Sequence, residues 1–155
     1  KFDLLLVGAS QSLFSKNKLG GRVKSYLDEV KCEVGVLIDR NFQVAKSIVF
    51  LVSQPEDTFI METVKHFIKN NNSFVTIVDV NQVINNDHKM WNDIVSINEE
   101  MPGAIEFVNS FPPDISLIKQ ADLILLSNDA YQNTLFFDDG FMQNCPSILV
   151  LKKAN

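Results

Sequence analysis

Short apolar segments recur along the chain and alternate with more polar stretches. Seven of them are rich in Val, Ile, Leu and Phe, and each is nearly continuous in its hydrophobicity. They are too short for most helices, and strands that are buried on both faces, as in a parallel sheet, have this pattern. The predicted strands are Phe2–Val7, Val34–Ile38, Ile48–Val52, Phe74–Val80, Ile105–Val108, Leu123–Leu126 and Ile148–Leu151.

The clearest helical segment runs from Pro55 to about Asn70. Proline is favoured in the first turn of a helix, and Glu56 and Asp57 interact favourably with the positive end of the helix dipole. Apolar residues then recur at the spacing of one helix face. These residues are Ile60, Val64, Phe67 and Ile68.

Two further helices are predicted on either side of this segment. One lies within the polar, Asn-rich stretch 81–103 and has long flanking loops. The other spans about 21–30, and its inward residues are Val23, Leu27 and Val30.

A short helix is predicted after the break at Pro112-Pro113. Asp114 is a favourable N-cap residue, and the helix runs to Lys119 with Ile115 and Ile118 packed inward. Strands that alternate with helices indicate βαβ units. The chain is therefore predicted to be an α/β protein with a mostly parallel sheet.

The two ends of the chain contain a weak internal repeat. Near the start, at Asp3, an Asp precedes a buried strand and a small residue, and the same order begins again at Asp122. In both places a loop and a helix-length segment come next, followed by a Cys and another strand. The repeat predicts a tandem: residues 1–42 hold the last strand, helix and strand of a first unit, and residues 43–155 form a complete second unit.

Composition and charge exclude several classes of function. The net charge is −5, and the basic residues are scattered, so no nucleic acid partner is expected. No apolar run approaches 18 residues, so we expect no direct membrane insertion. Cys32 and Cys145 lack a metal-ligand spacing and are predicted to be packed, reduced thiols. Because the chain begins at Lys1 and not at Met, we expect it to be part of a longer protein.

The segment after the first predicted helix resembles a known family. Residues 32–40 read Cys-Glu-Val-Gly-Val-Leu-Ile-Asp-Arg, and Pro55-Glu56-Asp57 opens a helix after the next strand. This order is similar to that of universal stress proteins. It is more closely similar to the cytosolic tail of plant cation/proton exchangers and their bacterial relatives, in which it closes the first of two stress-protein-like halves. The similarity covers most of the chain but is thin between 81 and 119.

The resemblance implies a cytoplasmic regulatory and assembly domain of a monovalent cation/proton antiporter, which is not itself an enzyme. The partners that it implies are the transporter domain of the same polypeptide, at the cytoplasmic face of the bacterial inner membrane, and a second copy in a homodimer. One alternative is a free-standing universal stress protein that binds ATP or AMP. Another is a domain that serves only as a dimerisation scaffold.

Nucleotide-binding stress proteins carry a glycine pattern after their fourth strand, which lets the backbone approach a phosphate at a helix N-terminus. Here Gly8 fills the first position, but Gln11 fills the second, and Arg22 replaces the hydroxyl residue after Gly21. We expect at most a degenerate site for an anion or an adenine nucleotide; otherwise these glycines serve only a tight turn and the start of a helix. The residues that would line the site are Gly8, Ser10, Ser12, Gly20, Gly21 and Arg22.

The second unit departs further from the nucleotide-binding pattern. No glycine follows Ser127 until Gly140, and Ser53 stands where nucleotide binders usually have an Asp. The carboxylates of Asp138 and Asp139 would repel a phosphate. We therefore expect no nucleotide site in this unit.

No catalytic set and no metal site are predicted. Neither His66 nor His88 has a partner in a known motif. Asp87, His88 and Asp93 are close in sequence, but exposed Asp and His side chains in a polar loop are usually solvated. Asp79 ends a strand where dinucleotide-binding folds have a ribose-binding acid, yet no glycine-rich turn accompanies it.

The resemblance also implies a junction between two strands. In stress proteins the strand that corresponds to Val34–Ile38 pairs antiparallel with its counterpart, here Ser147–Leu151, which removes an exposed apolar edge. Such pairing, within the chain or between subunits, would hold Cys32 and Cys145 roughly 15–20 Å apart, too far for a disulfide. Asp39-Arg40 could form an ion pair that closes the first unit, but we interpret it as an interface contact. The predicted interface residues are Val34, Val36, Ile38, Ile148 and Val150.

Overall fold

A computed structural model describes residues 4–9, 25, 28–86, 88–109, 114–133 and 144–154 of the chain. Within them lie seven strands and the helices that connect most of the later ones, and every strand that the apolar pattern predicts is present. The strands are β1 (Leu4–Ala9), β2 (Glu33–Ile38), β3 (Ser47–Val52), β4 (Phe74–Asp79), β5 (Ile105–Asn109), β6 (Leu123–Ser127) and β7 (Ser147–Lys152). The helices among the described residues include a 3-10 helix (Pro55–Ile60), α1 (Met61–Asn71), α2 (Lys89–Glu100), α3 (Ile115–Gln120) and α4 (Asn128–Asn133).

The strands form a single sheet in the order β1-β2-β7-β6-β3-β4-β5. Strands β3 to β7 run parallel to one another, and β1 runs parallel to β2. The one antiparallel pairing in the described sheet joins β2 to β7. The predicted mostly parallel α/β fold is confirmed.

The antiparallel pairing of β2 with β7 is the one that the family resemblance implies, and it lies within one chain. Cys32 and Cys145 flank opposite ends of this ladder, and both are free thiols. The register pairs Val34 with Lys152, Gly35 with Leu151, Val36 with Val150, Leu37 with Leu149 and Ile38 with Ile148. The ladder therefore joins the strand pair β1-β2 to the five parallel strands as one continuous sheet.

Apolar side chains pack on both faces of this sheet, as its continuous strands predict. Alternate residues of β3 belong to different clusters: Val49 and Leu51 lie in one, and Ile48, Phe50 and Val52 in the other. The first cluster extends across the β2–β7 ladder. Its members there are Val34, Val36, Ile38, Ile148 and Val150, all buried.

The predicted Pro55 helix is present but begins with a tighter turn. Residues 55–60 form a 3-10 helix, and the α-helix starts only at Met61. Such 3-10 turns are frequent at the N-termini of α-helices. The predicted inward face is confirmed, because Ile60, Val64 and Ile68 are buried and Phe67, partly buried, packs against the same cluster.

The other predicted helices agree in part with the structure. Within the predicted helix 21–30, residues 25, 28 and 29 are helical, and most of the others lie outside the described residues. Helix α2 occupies the stretch 81–103 as expected.

The prediction for α3 is right in position and wrong in one inward residue. Asp114 caps the helix, since its carboxylate accepts the Ser116 N–H at 2.8 Å, and Ile118 is buried. Ile115, however, is 53% exposed. In a helix of six residues a single turn reaches the sheet, and Leu117 and Ile118 supply its apolar contacts.

Among the described residues, no helix combines the length and the apolar character that crossing a membrane requires.

Replacing Ile38 by Ala tests the packing of the junction. Ile38 is 1% exposed and faces Ile148 in the ladder. Because the change leaves a cavity in the core, we expect the free energy of unfolding in urea to fall by about 2–5 kcal/mol. The matched control is Ile115→Ala on the exposed surface, which should change it by no more than about 0.5 kcal/mol. Equal losses in the two variants would contradict a buried junction.

Candidate functional site

The predicted glycine site lies almost entirely outside the described residues. Gly8 is exposed in β1, and a Cβ atom at this position would lie within 4 Å of no atom of the described residues. Close packing against this part of the chain therefore does not require glycine there. The remaining predicted lining residues, Ser10, Ser12, Gly20, Gly21 and Arg22, lie outside the described part, and the site stays a prediction.

The predicted second unit contains the switch point at which α/β proteins of this kind bind ligands. Its strand order reverses beside β3, which has β4 on one side and β6 on the other. Ligands bind at the carboxyl ends of the strands at such a point. A cleft of about 140 Å³ lies there. Its lining residues are Gln54, Glu56, Phe59, Ser127, Asn128, Asp129, Leu151, Lys152 and Lys153.

Behind this cleft lies Asp57, whose side chain is fully buried. Its Oδ2 atom accepts the backbone N–H groups of Ser53 at 2.9 Å and Gln54 at 3.2 Å, and the Ser53 hydroxyl lies 3.4 Å away. Its Oδ1 atom is buried and has no hydrogen-bond partner. Burial raises the pKa of Asp57, and the neighbouring Ser127 hydroxyl, Ser53 and Gln54 oppose that rise.

The described residues of the cleft do not fit an adenine nucleotide. Its volume is well below the roughly 300 Å³ at which sites for such ligands begin. The amide of Gln54 donates to Asp129 at 3.3 Å, and the Ser127 hydroxyl accepts the Ala130 N–H at 3.0 Å. The carboxylates of Asp129 and Glu56 also line the cleft and would repel a phosphate. Asp138, Asp139 and Gly140 lie outside the described residues, so the expectation that the predicted second unit has no nucleotide site stays a prediction.

Other acids and histidines that the sequence singles out have structural partners. Asp79 accepts the Val83 N–H at 3.0 Å and the Ile84 N–H at 2.8 Å, so both of its oxygens stabilise the turn after β4. The Nδ1 atom of His88 accepts the Met90 N–H at 3.1 Å and caps α2.

His88 and Asp93, which lie close together in the sequence, each have a structural partner. Asp93 forms an ion pair with Lys65 at 3.0 Å, while His88 caps its helix, and Asp87 lies outside the described residues. In the part of the chain that the structure describes, no three His, Cys, Asp or Glu side chains are close enough to hold a metal ion. His66 is exposed and lies 3.4 Å from Glu62.

Arg40 connects the two predicted units. Its backbone N–H donates to the Ser147 hydroxyl at 2.8 Å, and its Nη1 donates to the carbonyl of Cys145 at 3.4 Å. The Asp39 carboxylate does not form an ion pair with Arg40. It accepts the Phe42 N–H at 2.8 Å. Arg40 is thus a contact across the junction, at the end of the segment that carries the family resemblance.

Two buried side chains near Arg40 are held in their neutral forms. Burial raises the pKa of Tyr131 to about 12 and that of the Cys145 thiol to about 12, although the positive charge of Arg40 lowers both. Thiolate is the nucleophilic form of cysteine. The Cys145 environment is therefore that of an unreactive, structural thiol.

Sequence reasoning missed the roles of two acids. Asp122 marks the repeat, and its Oδ2 accepts the N–H groups of Lys46 at 2.9 Å and Ser47 at 2.8 Å, which anchors the start of β3 beside β6. Asp57 was predicted only as a favourable charge at a helix start. The pattern of a Pro followed by two acids was the available signal, but burial of Asp57 could not be deduced from it.

The comparisons with known proteins bear on the fold. Four solved chains match. One of them is the crystal structure of a universal stress protein from Archaeoglobus fulgidus DSM 4304, with a TM-score of 0.56 and 13% sequence identity. The fold is universal-stress-protein-like. The match covers 99% of this chain and 62% of that chain, so this chain spans less than two thirds of its length.

That likeness concerns the fold alone, because the sequence identity is low. No protein-family model matches the chain. No curated protein matches it either.

The two cysteines should differ sharply in reactivity. With a thiol pKa of about 12, about one Cys145 side chain in ten thousand is ionised at pH 8, and it is also buried, whereas Cys32 is only partly buried. We expect the native chain to react with an aromatic disulfide reagent quickly at Cys32 and slowly at Cys145. In Cys32→Ser the fast phase should be lost. Denaturant should expose Cys145 and make its reaction fast. A fast phase that persists in Cys32→Ser would contradict the burial of Cys145.

Proposed function

We propose that this chain is a regulatory and assembly domain of a monovalent cation/proton antiporter and is not itself an enzyme. The resemblance of residues 32–40 to the cytosolic tails of cation/proton exchangers supports this function. The universal-stress-protein-like fold agrees with it. The partners in this proposal are the transporter domain of the same polypeptide and a second copy of the chain, at the cytoplasmic face of the bacterial inner membrane.

The observation that best supports the proposal is the position of the resembling segment. Residues 33–38 form β2, the strand that pairs with β7, and Arg40 contacts Ser147 and Cys145 immediately beyond it. The residues that resemble an antiporter tail are therefore those that join the two parts of the sheet. An effector would regulate only by binding two arrangements of the domain with different affinity, and in this proposal the contacts between the two parts of the sheet differ between those arrangements.

The absence of enzymatic activity belongs to the same proposal. The acids that could serve as general bases, Asp57, Asp79 and Asp122, each accept two backbone N–H groups. Their role in holding turns and strand starts accounts for them without catalysis.

The competing function is that of a free-standing universal stress protein that binds ATP or AMP. The universal-stress-protein-like fold supports this function as well. Two measurements separate the two functions. The complete gene encodes membrane spans before Lys1 if the antiporter proposal is right. Calorimetric titration with ATP and AMP tests the degenerate site, and Gly21→Asp should abolish any binding there because the added carboxylate would repel the phosphate.

Arg40→Gln should alter ion exchange without unfolding the domain. The substitution removes the charge and the contact of Nη1 with Cys145, while the backbone bond to Ser147 stays. Mutations that affect coupling between sites change it by 0.5–2 kcal/mol, so we expect the cation-dependent proton flux of the full-length protein in everted vesicles to change by roughly 2- to 30-fold.

The matched control is Lys65→Gln, which breaks the ion pair with Asp93 on the helices away from the junction. It should leave the flux unchanged at equal protein levels. The proposal fails if the full-length protein has no membrane spans, or if Arg40→Gln and Lys65→Gln give the same flux as the wild type.

A further inference from the structure

Strand β1 forms one end of the described sheet, where β2 is its only strand neighbour. Its sequence, Leu-Leu-Leu-Val-Gly-Ala, contains no charged residue and no proline. Natural edge strands usually carry such residues, because an unprotected apolar edge promotes association. Strand β5, at the opposite end of the sheet, has the exposed side chain of Glu106. The composition of β1 is therefore that of an interior strand.

The junction relates β1 to β6 by a local two-fold axis. Val36 of β2 pairs with Val150 of β7 at the centre of the antiparallel ladder. On the outer sides of this pair, Val7 of β1 lies beside Val36, and Leu126 of β6 lies beside Val150. The sequence repeat gives the same equivalence, since Val7 and Leu126 stand equally far from the two aspartates that begin it. The structure and the sequence thus agree on which residues of β1 and β6 correspond.

The two equivalent strands differ in what covers them. Strand β6 has β3 as a parallel neighbour on its outer side, and Ile124 and Leu125 of β6 are 0% exposed. Their equivalents in β1 are Leu5, which is 37% exposed, and Leu6, which is 58% exposed. Because consecutive residues of a strand point to opposite faces of the sheet, β1 lacks cover on both faces.

We propose that β1 is an interior strand of a larger sheet, and that its open edge binds a parallel strand from the part of the polypeptide that precedes Lys1. This strand is the counterpart of β3, which precedes β6 along the chain and places Ile48, Val49 and Phe50 beside it. The docking strand is accordingly short and apolar. The inference rests on the predicted tandem and not on the antiporter function.

Both faces of β1 must be covered, so the occupant is more than a single extended peptide. In the second unit, the side chains of β6 are covered by clusters on both faces of the sheet, with Ile124 in one and Leu125 in the other. Helices on both faces of the added strand would cover Leu5 and Leu6 in the same way. The partner surface is thus a layer of α/β structure.

Two observations favour this occupant over a second copy of the chain. Two copies related by a two-fold axis would place their β1 strands antiparallel, because a two-fold axis across the sheet edge reverses the strand direction. The repeat instead calls for a parallel neighbour, as β3 is to β6. In addition, the solved universal stress protein extends beyond the match by more than a third of its own length.

Amide hydrogen exchange, measured by mass spectrometry, tests the proposal on the complete polypeptide and on the 155-residue chain. An edge strand leaves every second amide unpaired, so about half of the β1 amides should exchange rapidly in the 155-residue chain. In the complete polypeptide these amides should exchange at least about 100-fold more slowly, because amides of an interior strand exchange only when the structure opens. Peptides from β6 are the internal control and should exchange equally in both proteins.

Leu6→Lys separates docking from the stability of the 155-residue chain. Because Leu6 is exposed there, the urea midpoint of this chain should stay at the wild-type value. In the complete polypeptide the lysine would be buried beside the docked strand, so the slow exchange of β1 should be lost. Ile115→Lys is the matched control, since Ile115 is 53% exposed on α3, and it should leave the exchange of β1 unchanged in both proteins.

Three results would overturn the proposal. The first is a complete polypeptide whose β1 amides exchange as fast as those of the 155-residue chain, or one without an α/β segment before Lys1. The second is slow exchange of β1 that survives Leu6→Lys. The third is slow exchange in the 155-residue chain that is lost on dilution, because a second copy would then cover the edge. None of these readouts depends on ion transport, so this proposal and the antiporter function can fail separately.

Discussion

The antiparallel ladder between β2 and β7 is the interaction on which the arrangement of this protein depends. Without it, β1 and β2 would be a two-stranded ribbon, which is at best marginally stable in water. With it, their apolar side chains join a core that continues under β7 and β6. Backbone hydrogen bonds and buried Val and Ile side chains act together there, and the pairing also covers two edges that would otherwise be open to association.

Aspartate carboxylates stabilise several strand ends and helix starts in the described structure. Asp57, Asp79, Asp114 and Asp122 each accept at least one backbone N–H group at the end of a strand or the start of a helix. Such bonds satisfy amides that have no partner in the sheet or the helix ladder. These four acids therefore serve strand and helix ends, and Asp57 is the most deeply buried of them together with Asp79.

Much of this fold was predictable from local patterns, and the site was not. The seven strands follow from runs such as Ile48–Val52, because burial on both faces demands continuous apolar residues. The pairing of β2 with β7 could be anticipated only through the resemblance, since neighbours in a sheet are not encoded locally. Ile115 was placed inward because helix periodicity says nothing about where a one-turn contact with the sheet ends. The burial of Asp57 and the anchoring role of Asp122 depend on partners far along the chain, such as Ser127 and Lys46, and no local pattern reports those contacts.

The most direct test of the account is whether β2 and β7 pair within a single chain in solution. In antiparallel strands the pairs without hydrogen bonds bring their Cα atoms to about 4.5 Å, which gives strong nuclear Overhauser effects between Hα protons. We predict such effects at alternate pairs along the ladder from Val34–Lys152 to Ile38–Ile148, and none in an isotope-filtered spectrum of mixed labelled and unlabelled chains. Cross-strand effects that are missing, or that occur only between chains, would contradict the account.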